Sequence, residues 1–319
     1  MIVSKKKMTM GFPISHKENE KRLALVPKDM LKIENLSALY FERGYGKDFN
    51  ISDNDYLALG CQVVSREEVL SQGIICEPKI GDSDYLSKLT EGTVIFGWVH
   101  AAGNDTMITT LLNKQFKTYE WAYLMKGNRH AFWENNQLAG EAAVLDAYRS
   151  IGRLPKGDKV AILGRGNAAQ GALGVLTQQG AEVTIYNRNQ EDLFRQEFYQ
   201  FDVLINAIMW DNTREDRIVY RTDLKKMKPG TLIIDVSCDV NGAIESTRPT
   251  TISEPIYNES GVVHYCVDHT PSLYFSEATK HISLVVASFV DQLIEGNTND
   301  ELSGALISES GQIKHILVR

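Results

Sequence analysis

The sequence predicts an α/β protein of two domains, each built on a parallel sheet, with a cleft between them and a long helix joining them. Three observations carry that expectation. Short apolar runs alternate with helical patterns along almost the whole chain, the order of strands and covering helices in a parallel sheet. A helical stretch at 136–151 divides one such series from a second. After Pro271 the character changes to a dense apolar helix, which leaves the second series and is best placed to pack on the first. At 319 residues the chain is long for one core and comfortable for two.

In the first series the candidate strands are 8–12, 36–41, 73–76 and 93–99, with helical patterns at 65–70 and Asp105–Asn113. The joining helix carries Leu138, Ala142, Leu145 and Tyr148 at three-to-four spacing, and Gly152 and Pro155 stop it. The second series has strands at 160–163, 183–186, 202–205 and 231–235, with 262–267 as the last. One helix at 282–294 then presents Ile282, Val285, Val286, Phe289 and Leu293. From Gly296 onward the pattern is too weak to assign an element. These boundaries predict a first domain of residues 1–135 completed by 270–319, and a second of 136–269.

Composition narrows the function classes. Apolar residues at 43% and charged residues at 24% are the mix of a soluble globular protein. With 34 basic against 41 acidic residues the net charge is -7, and only Lys5-Lys6-Lys7 forms a basic run, so no nucleic-acid partner is expected. No window reaches the roughly 18–20 apolar residues of a membrane span, and no apolar stretch follows the basic start, so neither a membrane nor a signal peptide is expected. Cys61, Cys76, Cys238 and Cys266 form no C-x-x-C pair and no His lies at zinc-finger spacing. They read as reduced, packed thiols of a cytoplasmic protein, with no metal site.

The run Val160-Ala161-Ile162-Leu163-Gly164-Arg165-Gly166-Asn167-Ala168-Ala169 places a strand, a G-x-G-x-x-A turn and a helix in the order of a dinucleotide-binding, Rossmann-like unit. Gly164 permits the tight turn, Gly166 admits a pyrophosphate to the backbone, and Ala169 lets helix and strand approach. A helix starting near Asn167 points its unpaired N–H groups and positive dipole end at the phosphates. The next strand ends Ile185-Tyr186-Asn187-Arg188, without the carboxylate that usually holds a ribose 2′-hydroxyl. Arg188, with Asn187, suits a 2′-phosphate, so the cofactor reads as NADP(H) rather than NAD. The bland alternative for Arg188 is a solvated surface charge.

Outside that unit, Arg22 follows the first strand, Lys79 the strand at 73–76, and His100 the strand at 93–99. The C-terminal ends of parallel strands share one edge, where ligands bind, so the three residues should meet. Here the sequence resembles the alanine dehydrogenase family, which includes the lysine-forming saccharopine dehydrogenases and the N5-(carboxyethyl)ornithine synthases. Glu20-Lys21-Arg22-Leu23-Ala24-Leu25-Val26-Pro27 matches its E-x-R-x-A-L-x-P signature, and Lys79 and His100 lie at its lysine-to-histidine spacing. Gln137-Leu138-Ala139-Gly140 heads the long helix as in relatives, and Ile234-Asp235-Val236-Ser237-Cys238-Asp239 matches a strand and loop whose later aspartate faces the nicotinamide. The resemblance is strongest to the N5-(carboxyethyl)ornithine synthase branch, on Gly242-Ala243-Ile244-Glu245-Ser246-Thr247-Arg248, on Thr270-Pro271-Ser272 and on the short segment between Asn187 and Asp202.

The resemblance implies a homo-oligomeric enzyme that joins the distal amine of a basic amino acid, ornithine or lysine, to pyruvate and reduces the imine with NADPH. In that reading Arg22 binds the keto-acid carboxylate, Lys79 binds and polarises the keto oxygen, His100 moves protons, and Asp239 serves beside the nicotinamide. Bland alternatives are an ion pair for Arg22, a solvated lysine at 79, a structural histidine at 100 and a loop cap for Asp239. Trp98 is either a pocket wall or a core aromatic, Glu120 and Glu141 are possible contacts for an ammonium group, and His269 and His281 read as structural. Three rival functions remain. Alanine dehydrogenase would need only a smaller amine pocket. A shikimate dehydrogenase-like enzyme would fit Gly11-Phe12-Pro13-Ile14-Ser15-His16 and Asn187-Arg188, but Lys17-Glu18-Asn19 lacks its serine pair. A non-catalytic NADPH-binding sensor would not need Arg22, Lys79 and His100 together.

Overall fold

A computed structural model describes residues 7–211, 213–239 and 241–314. They form two compact units: residues up to 133 with those from 275 onward, and residues 134–274. The first unit opens with β1 (Met10–Phe12), β2 (Leu39–Glu42), α1 (Asp53–Leu57), β3 (Gln62–Val64), α2 (Arg66–Leu70) and β4 (Ile74–Glu77). It continues through β5 (Val94–Gly97), α3 (Asp105–Asn113), β6 (Lys117–Glu120) and a short hairpin of β7 (Met125–Lys126) and β8 (Arg129–His130). Ser65 caps α2 in a capping box with Glu68, and the Asn104 side chain caps α3 by accepting from Met107 N. Strands β1 to β6 pair with one another in parallel, and β1 lies between β2 and β4.

The connecting helix α4 (Trp133–Ser150) begins three residues before the expected 136. The second unit then runs β9 (Lys159–Leu163), α5 (Asn167–Gln178), β10 (Glu182–Tyr186), α6 (Glu191–Glu197), β11 (Val203–Asn206), β12 (Leu232–Asp235), β13 (Ile256–Glu259) and β14 (Val262–Tyr265). Its sheet has the order β10-β9-β11-β12-β14-β13, so strand order reverses at β9. Alternate residues face opposite sides. Ala161, Leu163, Leu204 and Ile233 pack in one apolar cluster, whereas Val160, Ile162, Val203, Ile205, Leu232 and Ile234 pack in the other. Burial on both faces explains why these strands read as unbroken apolar runs.

The chain returns to the first unit with α7 (Phe275–Ala287), α8 (Val290–Ile294), α9 (Asp300–Ala305) and the antiparallel pair β15 (Leu306–Glu309) and β16 (Gln312–Ile313). The first sheet therefore has the order β16-β15-β6-β5-β4-β1-β2-β3. Two expectations need correction. The sheets are not wholly parallel: β15 pairs antiparallel with β6, and β13 with β14. The helix expected at 282–294 is two helices, because Ser288 Oγ donates back to Val285 O at 2.7 Å and Phe289 N to Val286 O at 2.9 Å, which ends the i→i+4 ladder. The unassigned tail supplies α9 and a two-stranded sheet extension. No helix among the described residues is long and apolar enough to cross a membrane.

Within the second unit, α4 and α5 touch backbone to backbone. A Cβ on Gly140 would lie 1.8 Å from Ala168 O, and one on Gly171 2.0 Å from Gln137 O. The contact presses the start of α5 against α4. Glycine costs roughly 0.5–1 kcal/mol against alanine in a helix, a cost that the close approach requires at Gly140 and Gly171. Gly140→Ala should lower the thermal midpoint, whereas Gly174→Ala, where a Cβ meets nothing within 4 Å, should stabilise by about 0.5–1 kcal/mol. Thermal denaturation of both variants checks this; equal effects would show that the approach is not tight.

Candidate active site

In the first unit, the segment after β1 is held by side chains that satisfy its backbone. Leu23 N donates to Thr279 Oγ1 (2.9 Å), Ala24 N to the Tyr45 hydroxyl (2.8 Å) and Val26 N to Ser283 Oγ (3.0 Å). This fixes Arg22 in the interior at 5% exposure. Its guanidinium grips Glu20 with Nε to Oε1 at 2.9 Å and Nη2 to Oε2 at 2.5 Å, and lies 5.3 Å over the Trp98 ring. The expected carboxylate fork is thus engaged along one edge by a carboxylate of its own chain. Trp98 is buried in an aromatic nest with Trp121 and Phe132, the core position expected as one of its two readings.

Lys79 is equally buried at 5%, and its Nζ lies 3.0 Å from Asp82 Oδ2. Lys17 Nζ reaches the same oxygen at 2.7 Å. Burial works to raise the Asp82 carboxyl, but Lys79 and Lys17 outweigh it and hold it below its ordinary value. The turn that carries Lys79 is tied to the end of β5 through Gly81 N to Trp98 O at 3.1 Å.

His100 follows at an exposed position with φ of 52°, the left-handed region. Its N–H donates to Glu120 Oε2 at 2.7 Å; Val99 N reaches the two carboxylate oxygens at 3.2 and 3.1 Å, and Ala122 N donates to Oε1 at 3.1 Å. Burial pushes Glu120 up to about 7, against the pull of these N–H groups and of Lys79. Glu77, at the end of β4, is likewise pushed up to about 7 by burial, against the donated Tyr85 hydroxyl. Arg22, Lys79 and His100 therefore stand on the segments that leave β1, β4 and β5, at the C-terminal edge of one sheet. Glu20 and Glu77 lay outside the residues that sequence reasoning singled out, and Glu120 carried no distinguishing mark there. Glu77 and Glu120 share one signal, a carboxylate as the last residue of a strand.

In the second unit, Gly164 ends β9 with φ of 112°, and a Cβ there would lie 2.7 Å from Ala207 O. Gly164 N donates to Tyr186 O at 2.9 Å, which docks the turn on the end of β10. Arg165 and Gly166 are exposed, a Cβ on Gly166 would meet nothing within 4 Å, and Ala169 is buried in the core. Gly166 stands at the N-cap of α5, followed by Asn167 and Ala168, both half-buried. An open glycine at a helix N-terminus, where strand order reverses, fits a pyrophosphate. Asn187 works inward: its Oδ1 accepts from Asn189 N (2.9 Å) and its Nδ2 donates to Gln190 Oε1 (2.6 Å), capping the turn that presents exposed Arg188.

Asp239 follows β12. Burial and the neighbouring Asp235 push its carboxyl up to about 7, while Trp210 N, at 3.3 Å, opposes the rise. Asp235 itself is buried and accepts from Asn206 Nδ2 (2.9 Å), Thr247 Oγ1 (2.6 Å) and Cys238 N (3.1 Å). All four cysteines are free thiols, with Cys266 Sγ donating to Cys238 Sγ at 3.0 Å. His269 is buried against Asp268 at 2.7 Å, and His281 lies 3.5 Å from Glu277. Glu141 accepts from Gln137 Nε2 at 3.1 Å, within α4. Among the described residues no group of three or more His, Cys, Asp or Glu is placed to hold a metal ion.

Two family models match the chain: alanine dehydrogenase/PNT, N-terminal domain, over residues 11–132, and alanine dehydrogenase/PNT, C-terminal domain, over residues 187–316. The chain is 32% identical to an N(5)-(carboxyethyl)ornithine synthase of Clostridium botulinum strain Hall, over 86% of this chain and 92% of the relative. It is 31% identical to the enzyme of that name from Lactococcus lactis subsp. lactis strain IL1403, over 88% and 95%. A solved L-alanine dehydrogenase shares the fold with a TM-score of 0.77 at 22% identity, covering 98% of both chains.

The raised Asp239 carboxyl has a consequence for stability. Between its ordinary value near 3.8 and about 7 the folded chain keeps a proton that the unfolded chain has lost. Its contribution is therefore complete below the unfolded pKa and is lost as pH rises through the folded one. Asp239→Asn removes that loss, so its stability relative to the parent should rise from about pH 4.5 to about pH 7.5 in urea denaturation. A difference that does not change with pH would contradict the raised carboxyl.

Proposed function

The chain belongs to the alanine dehydrogenase/PNT family, and from that premise we propose a specific reaction for it. As an NADP(H)-dependent oxidoreductase acting on a CH–NH bond, it condenses pyruvate with the distal amine of ornithine or lysine and yields an N-(1-carboxyethyl) amino acid. The observation that carries this reading is the gathering of Arg22, Lys79 and His100 at one sheet edge. The names of the relatives at 32% and 31% identity support the choice of amine.

The residues divide the work. Arg22 takes the pyruvate carboxylate on the side of its guanidinium away from Glu20, which keeps the group fixed. Lys79 directs its ammonium at the keto oxygen and makes the keto carbon electrophilic. The neutral distal amine adds to that carbon, forming the C–N bond while the oxygen takes a proton from His100. His100, now neutral, takes a proton from the new ammonium nitrogen and passes it to the hydroxyl, which leaves as water while the freed nitrogen lone pair forms the C=N bond of the protonated imine. Residues 164–169 with Asn187 and Arg188 would hold NADPH, which when bound would supply the hydride for the imine carbon. Arg188 serves the 2′-phosphate, and Asp239, near neutrality, serves beside the nicotinamide. The residues from 1 to 135, with those from 270, act as the substrate domain, and 136–269 as the cofactor domain.

Following NADPH oxidation with pyruvate plus ornithine, lysine, ammonia or no amine tests the proposal. Turnover is expected with ornithine or lysine and not without an amine; turnover with ammonia alone would make the protein an alanine dehydrogenase. His100→Ala should lower kcat by at least about 10²-fold with NADPH binding intact. Near-normal activity in that variant would remove His100 from the mechanism.

A further inference from the structure

We propose that Glu120 is the positioning residue for His100: its carboxylate holds the histidine backbone in its left-handed conformation and sets the charge that the imidazole senses. The proposal rests on reading His100 as the proton carrier. Gly97, the last residue of β5, pairs in register with Glu120, the last of β6, so the Glu120 side chain stands where residues 98–100 leave the sheet. Two successive N–H groups, of Val99 and His100, converge on the carboxylate, and Ala122 N donates to it from the other side. A non-glycine residue at φ of 52° is strained, and such residues persist where surrounding contacts over-determine them. Here the contact is a buried anion in a concavity of backbone donors.

The same geometry argues against Glu120 as a direct contact for the substrate amine, since both of its oxygens already accept from the backbone. The charged group that bears on it is Lys79, with its partner Asp82, from the turn after β4, while His100 from the turn after β5 reaches it through its backbone N–H. A negative charge beside an imidazole favours the imidazolium. Glu120 thus sets the pH range over which His100 can give up its proton, and does so without touching the reacting atoms.

Glu120→Gln removes the charge and turns an amide NH₂ toward backbone N–H groups. The first readout needs no turnover: the His100 imidazole resonance, assigned with His100→Gln, is titrated by NMR in the parent and the variant. Its pKa should fall by roughly one unit in Glu120→Gln. In kinetics kcat should fall by about 10²-fold, the cost of misplacing a reacting group, with KM for pyruvate little changed and the His100 limb of the pH profile moved to lower pH. Glu120→Asp, which keeps the charge but withdraws it by one methylene, should give a smaller shift in the same direction, and it serves alone if the glutamine variant does not fold. Identical His100 titration in parent and variants would overturn the proposal. So would a raised KM for the amine with kcat unchanged, the mark of a substrate contact. If the titration shifts but His100→Gln stays fully active, the positioning stands and the proton-carrier reading fails.

Discussion

A cation taken out of water persists only if a carboxylate goes with it, and that constraint organises the edge of the first sheet. Arg22 and Lys79 are both about 5% exposed, and neither is alone. Glu20 binds Arg22 along one guanidinium edge, Asp82 shares Lys79 with no intervening group, and Glu120 completes the field around Lys79. Burial pushes two further carboxyls there, Glu77 and Glu120, up to about 7, and Lys79 opposes the rise at Glu120. Under the proposed function, a keto acid arriving there would meet cations already fixed in place, so less of its binding energy would be spent on ordering them.

In the second unit the comparable constraint is steric. Gly140 and Gly171 let α4 and α5 meet at backbone distance, and Gly164 takes a left-handed φ where Ala207 O leaves no room for a side chain. Together they hold the turn and the first residues of α5 against the end of β10. The turn is thereby fixed by steric fit and a backbone hydrogen bond, and at its one open glycine, Gly166, a Cβ would meet nothing within 4 Å.

The strands with strong apolar runs, such as those containing Ile74, Ile95, Ile162 and Ile233, were legible in the sequence because burial on both faces leaves no polar positions. Two half-polar strands were not, although β10, at the edge of its sheet, was. Lys117-Thr118-Tyr119-Glu120 and Ile256-Tyr257-Asn258-Glu259 are half polar, and only their pairing with β5, β15 and β14 identifies them. The break at Ser288 was hidden for another reason: a hydroxyl bond to the backbone leaves the apolar spacing of Val285, Phe289 and Leu293 intact. At the site, Arg22, Lys79 and His100 could be found from their places after strands, but their partners could not. Glu20 lies two residues from Arg22, a spacing without meaning until the chain bends, and Glu120 meets His100 only through strand register.

The central claim is chemical: a new C–N bond forms between the keto carbon and a distal amine, and the imine, not the ketone, is reduced. Reaction of pyruvate and ornithine with NADPH carrying deuterium at the transferable position, followed by mass spectrometry of the product, tests it most directly. The account predicts a single N-(1-carboxyethyl) product with one deuterium on the carbon that was the keto carbon of pyruvate. Deuterium recovered in lactate or alanine, with ornithine unchanged, would contradict it.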